Sequence, residues 1–220
     1  MPVKEGERTM SRKLSLIFIC ISLICVGCPS GPKKDEIRWV TVEEIARSLE
    51  NQPPMKVGFD VDDTVLFSAP GYYYGQQKYS PGSNEYLEKE EFWNELNNGL
   101  DKFSLPKECA RTLIALHKSR GDTIYFITAR QKTETETVTD LLAKTFNLDN
   151  INDVIFTDLK AQAILNHDIQ IYYGDSDADM KAAVEAGILG IRIMRAGNST
   201  KRPFPEYGSL GEEVLKGSEF

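Results

Sequence analysis

The chain has 220 residues, of which 41% are hydrophobic and 27% charged, a composition typical of a soluble domain with a sizeable core. Acidic residues outnumber basic ones by 33 to 26, which gives a formal net charge of −7. This charge gives no electrostatic basis for binding a nucleic acid polymer, and any bound phosphate must be held by local positive charge from a metal ion or a particular lysine.

The first 28 residues have the pattern of a bacterial export signal. Arg12 and Lys13 precede an apolar run over residues 14–26, which has the length of a signal-peptide core and is too short to span a bilayer comfortably. The glycine and Cys28 that follow are similar to a lipobox, whose cysteine carries lipid. We expect a periplasmic protein, or a lipoprotein that touches the membrane only through an acylated Cys28. A plain cleaved signal and an uncleaved anchor are the alternatives.

Residues 29–36 are polar with proline and glycine and indicate a linker before a domain over 37–220. Thr41 followed by Glu44 is a capping-box pattern, which predicts a helix that ends at Leu49. From there on, predicted strands alternate with helices, so we expect an α/β fold with a mainly parallel sheet flanked by helices. The predicted strands are 56–60, 123–128, 154–157, 169–173 and 190–194, and the helices are 86–98, 106–120, 132–146 and 180–185.

The stretch of about 70–105 interrupts this alternation. A small helical insert is the interpretation we favour. Within it, residues 71–84 are rich in glycine, tyrosine and serine, which predicts a loop before the helix over 86–98.

Four polar clusters come at the carboxyl ends of predicted strands. They are FDVDDT at Phe59–Thr64, FITAR at Phe126–Arg130, Lys160, and YGDSDAD at Tyr173–Asp179. Open parallel sheets bind ligands in the crevice outside the carboxyl ends of their strands. The four segments are therefore expected to converge on a single site.

The order of these clusters resembles the motifs of the haloacid-dehalogenase (HAD) phosphohydrolases: Asp-x-Asp-x-Thr, a threonine, a lysine, and Gly-Asp-x-x-x-Asp. The flanking segments PPMKVGFDVDDTVLFSAPGYYYG, FITARQKTETETV, IYYGDSDADM and GIRIMRAGNST resemble the class B non-specific acid phosphatases of the bacterial periplasm. The resemblance runs from about Ile37 to Phe220. It implies a Rossmann-like HAD fold, hydrolysis of phosphomonoesters such as nucleotides and aryl phosphates, phosphate transfer to alcohols, and a homotetramer.

The resemblance assigns chemical roles to particular residues. Asp60, at the end of an apolar strand, is the expected nucleophile, which forms an aspartyl-phosphate and divides one hard hydrolysis into two easier steps. Asp62 is expected to protonate the leaving oxygen and then to deprotonate the attacking water. Thr128 and the backbone amide of Ala129 are expected to bind phosphate oxygens, and Lys160 to offset the charge of phosphate and nucleophile.

A phosphate dianion approaches several carboxylates only if a cation is present. Mg²⁺ suits a site of oxygen ligands with a few carboxylates and retained waters. The expected ligands are Asp60, the backbone carbonyl of Asp62, and Asp175, with Asp179 supporting them through hydrogen bonds. Among neighbouring polar residues, Asp63 and Asp177 are expected to be helix caps or to make structural bonds. The role of Arg130 is open between a structural ion pair and a part in the site.

The resemblance also places a leaving-group pocket at Tyr72, Leu87 and Trp93, although these residues could equally be core packing. An aromatic lining would stack against a base or phenyl ring. The chain departs from the family at Lys201, where a further aromatic residue is expected.

Other functions share parts of this pattern. Class C lipoprotein acid phosphatases, sugar phosphatases and phosphonate hydrolases carry similar motifs, but the flanking segments favour class B. A response-regulator receiver also gathers aspartates, threonine and lysine around Mg²⁺, but its phosphorylated aspartate follows the acidic pair, whereas Asp60 belongs to the first motif. An inactive binding lipoprotein would have no need to keep every chemically competent position.

Overall fold

The structure is a computed structural model that describes residues 37–220, so the expected signal segment (1–28) and linker (29–36) lie outside the described residues. Its strands are β1 (Arg38–Val40), β2 (Lys56–Phe59), β3 (Leu66–Phe67), β4 (Leu105–Pro106), β5 (Thr123–Thr128), β6 (Ile155–Phe156), β7 (Ile171–Gly174), β8 (Leu189–Arg192) and β9 (Glu213–Leu215). Its α-helices are α1 (Val42–Ser48), α2 (Ala69–Tyr79), α3 (Glu90–Asn97), α4 (Glu108–Arg120), α5 (Val138–Phe146), α6 (Lys160–Asn166) and α7 (Asp177–Glu185). Two 3₁₀ helices are η1 (Glu85–Glu88) and η2 (Leu100–Phe103).

Seven strands form a parallel sheet in the order β1-β9-β8-β7-β2-β5-β6, which confirms the expected α/β fold. Strand β2 lies between β5 and β7, so the first motif leaves the middle of the sheet. Strands β3 and β4 form a separate antiparallel pair. Within residues 37–220, every helix is too short or too polar to span a bilayer.

Apolar clusters cover both faces of the sheet. Since successive side chains of a strand point to opposite faces, Tyr172 and Tyr173 of β7 belong to different clusters. Tyr173 stacks on Phe59 with ring centroids 4.6 Å apart, on the face that α4 and α5 cover. Tyr172 packs with Ile164 of α6 and Ala183 of α7 on the other face. The sheet is thus held from both sides, which fixes the direction in which its strands end.

Local sequence explains where several elements begin and end. The predicted capping box of α1 is confirmed: Glu44 N–H donates to the Thr41 hydroxyl at 3.2 Å, and Thr41 N–H donates to the Glu44 carboxylate at 2.9 Å. Helix α4 ends at Gly121, whose left-handed backbone (φ 77°) suits glycine.

Other predicted bounds were wrong. Pro106 lies in β4 rather than in the first turn of a helix, because α4 begins two residues later, at Glu108. Helix α5 begins at Val138 rather than at 132, and α6, β1 and β9 were not predicted. The strands β1 and β9 have three residues each, too few to show a clear periodicity.

The largest error concerns the insert. Residues 69–79 form α2, where a loop had been predicted from glycine and tyrosine content. A Cβ on Gly75 would lie 2.2 Å from Cε2 of Phe92, and one on Gly71 would lie 2.7 Å from Cδ1 of Leu96. These glycines therefore allow α3 to pack closely on α2. The glycine content that suggested a loop is thus explained by close helix packing.

Candidate active site

The first motif turns sharply as it leaves β2. Asp60 N–H donates to the Tyr173 carbonyl at 2.9 Å, which extends the pairing with β7 by one residue. The Val61 carbonyl then accepts from both Val65 and Leu66 N–H, each at 3.0 Å. Asp63 within this turn has a left-handed backbone, with φ 65°. The turn directs the carboxylates of Asp60 and Asp62 to the carboxyl edge of the sheet.

Asp60 is buried, with 4% of its surface exposed. Its Oδ2 accepts from the Thr64 hydroxyl at 2.8 Å, and its Oδ1 accepts from Lys160 Nζ at 2.7 Å. Burial raises the pKa of Asp60 to about 7, although the Lys160 ammonium opposes the shift. The expected nucleophile thus sits at the edge of the sheet beside a cation.

Asp62 has different surroundings. Its carboxylate accepts two hydrogen bonds from Arg130, at 2.6 and 2.9 Å, and one from the Tyr72 hydroxyl at 2.9 Å. Burial favours the neutral acid, but Arg130 and then Lys201 outweigh it and hold the pKa of Asp62 well below its usual range. Two carboxylates of one turn are therefore held in opposite electrostatic environments.

The sequence left open whether Arg130 forms a structural ion pair or takes part in the site. In the structure Arg130 pairs with one aspartate of the site cluster and with one aspartate outside it. Its fully buried guanidinium bridges Asp62 at the sheet edge and Asp101 of η2, where Nη2 donates to Asp101 Oδ1 at 3.0 Å. Asp101 had not been predicted as part of the site. Its pairing with a residue 29 positions away has no local sequence signal.

Lys160 lies at the start of α6, where its side chain is buried. Nζ donates to Asp60 Oδ1 and, at 2.6 Å, to Asp179 Oδ1. Asp179 also closes the capping box of α7, because its Oδ2 accepts from Ser176 N–H at 3.0 Å. The prediction that Asp177 caps a helix is wrong: Ser176 is the cap, and Asp177 is the first helical residue, 2.8 Å from the Arg192 guanidinium.

Asp175 follows β7 and is buried, with Arg195 donating from Nε to its Oδ2. Single carboxylate oxygens of Asp60, Asp175 and Asp179 lie within 4.8 Å of one another. An oxygen-only set with several carboxylates is what Mg²⁺ prefers in proteins. The residues present therefore fit a divalent cation of this kind.

Lys201 also reaches this cluster, which the sequence did not predict. Its Nζ donates to the Asp62 carbonyl at 3.1 Å. Burial disfavours the ammonium form, but Asp175, Asp62 and Asp60 outweigh it and raise the pKa of Lys201. The departure from the expected aromatic residue was visible in the sequence, whereas its contact with the carbonyl of the first motif was not.

Asp63 makes structural bonds, as expected. Its Oδ2 accepts from the Ser199 hydroxyl at 2.6 Å, and its carbonyl accepts from Lys107 Nζ at 3.0 Å. Thr128 ends β5 and is fully buried, and its hydroxyl oxygen accepts from Arg130 N–H at 3.3 Å.

A cavity of about 1160 Å³ opens over the cluster. Ala129 lies in its wall together with the residues expected for the leaving-group pocket, which are Tyr72, Leu87 and Trp93. Tyr72 and Trp93 also pack against Phe92 in the core of the insert, with the Tyr72 and Trp93 ring centroids 6.2 Å apart. Leu87 is 37% exposed, and its carbonyl accepts from Trp93 Nε1 at 2.8 Å. Tyr72 and Trp93 thus pack in the core of the insert and also line the cavity, whereas Leu87 lines the cavity beside them.

Known proteins share this sequence and fold. The family model of the HAD superfamily, subfamily IIIB (acid phosphatase), matches residues 34–203. The chain is 52% identical over 192 residues to a class B acid phosphatase of Salmonella arizonae, covering 84% of this chain and 81% of that protein. It is 51% identical over 236 residues to a class B acid phosphatase of Klebsiella pneumoniae, covering 95% of this chain and all of that protein.

Solved structures share the fold at much lower identity. A crystal structure of a putative phosphatase from Clostridium difficile superposes with a TM-score of 0.51 at 14% identity, over 76% of this chain and 95% of that one. At this identity the likeness concerns the fold alone.

Proposed function

The chain belongs to HAD subfamily IIIB, the class B acid phosphatases, and we propose that it hydrolyses phosphomonoesters through an aspartyl-phosphate on Asp60, with Mg²⁺ as its metal ion. Membership of this family identifies the chain as an acid phosphatase. It therefore rules out the response-regulator receiver and the inactive binding lipoprotein as alternative functions. The intermediate, the metal and the choice of substrate are the parts proposed. The observation that carries them is the buried Asp60 carboxylate, which directly follows the interior strand β2 and lies beside the Lys160 ammonium in the wall of the cavity.

The two proposed steps exchange one phosphorus–oxygen bond at a time. A carboxylate oxygen of Asp60 attacks phosphorus, and the bond from phosphorus to the ester oxygen breaks. Asp62 has to enter this step protonated, although Arg130 favours its carboxylate form, and it gives that proton to the departing alcohol. A water molecule then attacks the phosphorus of the acyl-phosphate, Asp62 takes its proton, and Asp60 is released as a carboxylate. An alcohol in place of water would give phosphate transfer by the same route.

In this proposal the other residues offset negative charge and orient the phosphate. Lys160 offsets the negative charge of Asp60 and of the incoming phosphate. Thr128 and the Ala129 amide orient the phosphate oxygens. Bound by Asp60, the Asp62 carbonyl and Asp175, and supported through Asp179, Mg²⁺ would neutralise phosphate charge that the acidic cluster otherwise repels.

The substrate proposal rests on the part of the cavity wall that the insert supplies. Tyr72, Leu87 and Trp93 present apolar and aromatic surface to the cavity, which favours nucleotides and aryl phosphates over sugar phosphates. Its volume of about 1160 Å³ is large enough for a nucleotide.

The covalent step is tested with Asp60→Asn and a matched control. Asp60→Asn should lower kcat for p-nitrophenyl phosphate by more than about a thousandfold while the circular dichroism spectrum stays native. Asp158→Asn removes an exposed carboxylate from the wall of the same cavity and should leave kcat within about twofold. Acid quenching of the wild type followed by borohydride reduction should convert Asp60 to homoserine, detected by peptide mass. Near-normal turnover by folded Asp60→Asn protein would rule out the intermediate.

Metal dependence is tested separately by exhaustive chelation. Activity should disappear on treatment with EDTA and return on addition of Mg²⁺. Full activity in the chelated protein would rule out the metal while leaving the test of Asp60 unaffected.

We also propose that the protein is exported and forms a homotetramer. Export and an acylated Cys28 are supported by the pattern of residues 1–28, and the tetramer by family membership alone. Intact mass of membrane-derived protein should give an acylated chain that begins at Cys28, and light scattering of the mature domain should give four times the chain mass. A cytosolic, unprocessed chain would contradict export.

A further inference from the structure

Lys201 is held firmly at the acidic cluster. Its backbone N–H donates to the Ser199 hydroxyl oxygen at 3.1 Å, and the same hydroxyl donates to Asp63. Its side chain is partly buried, and Nζ donates to the Asp62 carbonyl at 3.1 Å. Nζ also lies 5.6 Å from the centroid of the Tyr72 ring, within the range of a cation–π contact.

The Lys201 ammonium thus binds the Asp62 carbonyl oxygen, which is also a proposed ligand of the metal ion. Lys201 lies in the field of four carboxylates, those of Asp60, Asp62, Asp63 and Asp175. Asp60 and Asp175 are the proposed carboxylate ligands of the metal ion, and the Asp62 carbonyl is its proposed backbone ligand. An ammonium in this position supplies positive charge to the cluster when no metal ion is bound.

We propose that Lys201 is an internal cation that competes with the divalent metal ion for the Asp62 carbonyl and for the charge of the surrounding aspartates. The inference rests on the metal dependence proposed above. A divalent ion and an ammonium that share one carbonyl oxygen lie a few ångströms apart. At that distance their Coulomb repulsion is larger than the free energy that corresponds to a tenfold change in affinity. Metal binding is therefore expected to displace the Lys201 ammonium from the Asp62 carbonyl.

This competition has two opposite consequences that can be measured without turnover. Lys201 weakens metal binding, because the metal-bound protein has to move a cation that the aspartates attract. Lys201 also stabilises the metal-free protein, because it offsets the mutual repulsion of the same aspartates. A residue that only packs against Tyr72 would do neither in this linked way.

The experiment compares Lys201→Met and Lys201→Gln with the wild type and with a matched control. Lys181→Met serves as the control, because Lys181 lines the same cavity but is exposed, and within residues 37–220 it forms no ion pair or side-chain hydrogen bond with an aspartate. Calorimetric titration of chelated protein with MgCl₂ should give a Kd at least about tenfold lower in both Lys201 variants, equivalent to about 1.4 kcal/mol. The chelated variants should also melt at least about 2–4 °C below the wild type. Lys181→Met should match the wild type in both measurements.

The outcomes separate this inference from the proposed function. Equal or weaker Mg²⁺ binding by folded Lys201 variants would overturn the competition and leave the metal dependence standing. A lower Kd together with a lower melting temperature of the chelated protein would support it. If neither wild type nor variants bind Mg²⁺ and chelation leaves activity intact, the metal dependence fails, and the competition fails with it.

Discussion

The carboxyl edge of the sheet and the helical insert both line one cavity, but different forces position most of their side chains. At the edge, Asp60 and Asp175 follow hydrogen-bonded strands, and charged partners such as Lys160 hold them. In the insert, Tyr72 and Trp93 are held by aromatic packing around Phe92, and the close approach of α2 to α3 depends on Gly75. Under the proposed function, this difference predicts a division of labour: the edge would act on the phosphate common to every substrate, and the insert on the group that differs between substrates.

The sharpest test of this division changes the edge alone. Lys160→Met removes the ammonium that contacts Asp60 and Asp179, so kcat/KM should fall roughly a hundredfold to a thousandfold. The loss should be equal for p-nitrophenyl phosphate and glycerol phosphate, because both present the same phosphate. Steady-state kinetics of the two substrates give the ratio, with circular dichroism as the control for folding. A loss confined to the aryl ester would mean that the edge also selects leaving groups.

Arg130 links the two regions, because it pairs with Asp62 at the edge and with Asp101 in the insert. Arg130→Met leaves both buried carboxylates without this partner and should lower the free energy of unfolding by about 3–5 kcal/mol. Asp101→Asn keeps the Asp62 pair and should cost less. Urea denaturation of the three proteins measures both effects. Wild-type stability of Arg130→Met would show that the ion pairs of Arg130 do not hold the two regions together.

A third change acts on the insert from within. Gly75→Ala places a Cβ 2.2 Å from Phe92 Cε2 and should lower the free energy of unfolding by about 1–3 kcal/mol. As α2 and α3 move apart, KM for aryl phosphates should rise while turnover of glycerol phosphate stays near the wild-type value. Gly197→Ala is the control, since nothing lies within 4 Å of a Cβ there. Equal losses for both substrates would contradict the separate role of the insert.

The smallest effect is expected at Leu87, which lines the cavity with 37% of its surface exposed. Leu87→Ala should lower kcat/KM for nucleotides and aryl phosphates roughly fivefold, about 1 kcal/mol, because only part of the side chain covers the leaving group. The melting temperature should stay within about 1 °C of the wild type. If glycerol phosphate turnover falls as much as that of the aryl ester, Leu87 does not belong to a leaving-group pocket.

The sequence predicted the two regions unequally, for reasons that their physics explains. Parallel strands bring their carboxyl ends to one edge, so polar residues after each apolar run could be assigned to one place. The structure brings Asp60, Asp62, Lys160, Asp175 and Asp179 together there. Their chemical roles remain predictions.

The insert could not be read in this way. Glycine and tyrosine over 71–84 indicated a loop, whereas the structure has a helix there, with Gly71 and Gly75 at its close approach to α3. Likewise, Asp101 gains its role through a partner 29 residues away, and Lys201 through a contact 139 residues away. Such pairings depend on tertiary packing, which neither periodicity nor motif spacing encodes.

The position of β9 between β1 and β8 has a consequence for how the sheet is assembled. Arg38 of β1 pairs with Glu213 of β9, 175 residues later in the chain. Contacts this distant in sequence close large loops and slow the folding of a domain. During synthesis β1 has to wait for residues 213–215, and until they arrive the backbone of β8 offers an open edge to other nascent chains. The slowest and most aggregation-prone stage of folding is therefore expected at the border of the sheet, far from the strand that carries Asp60.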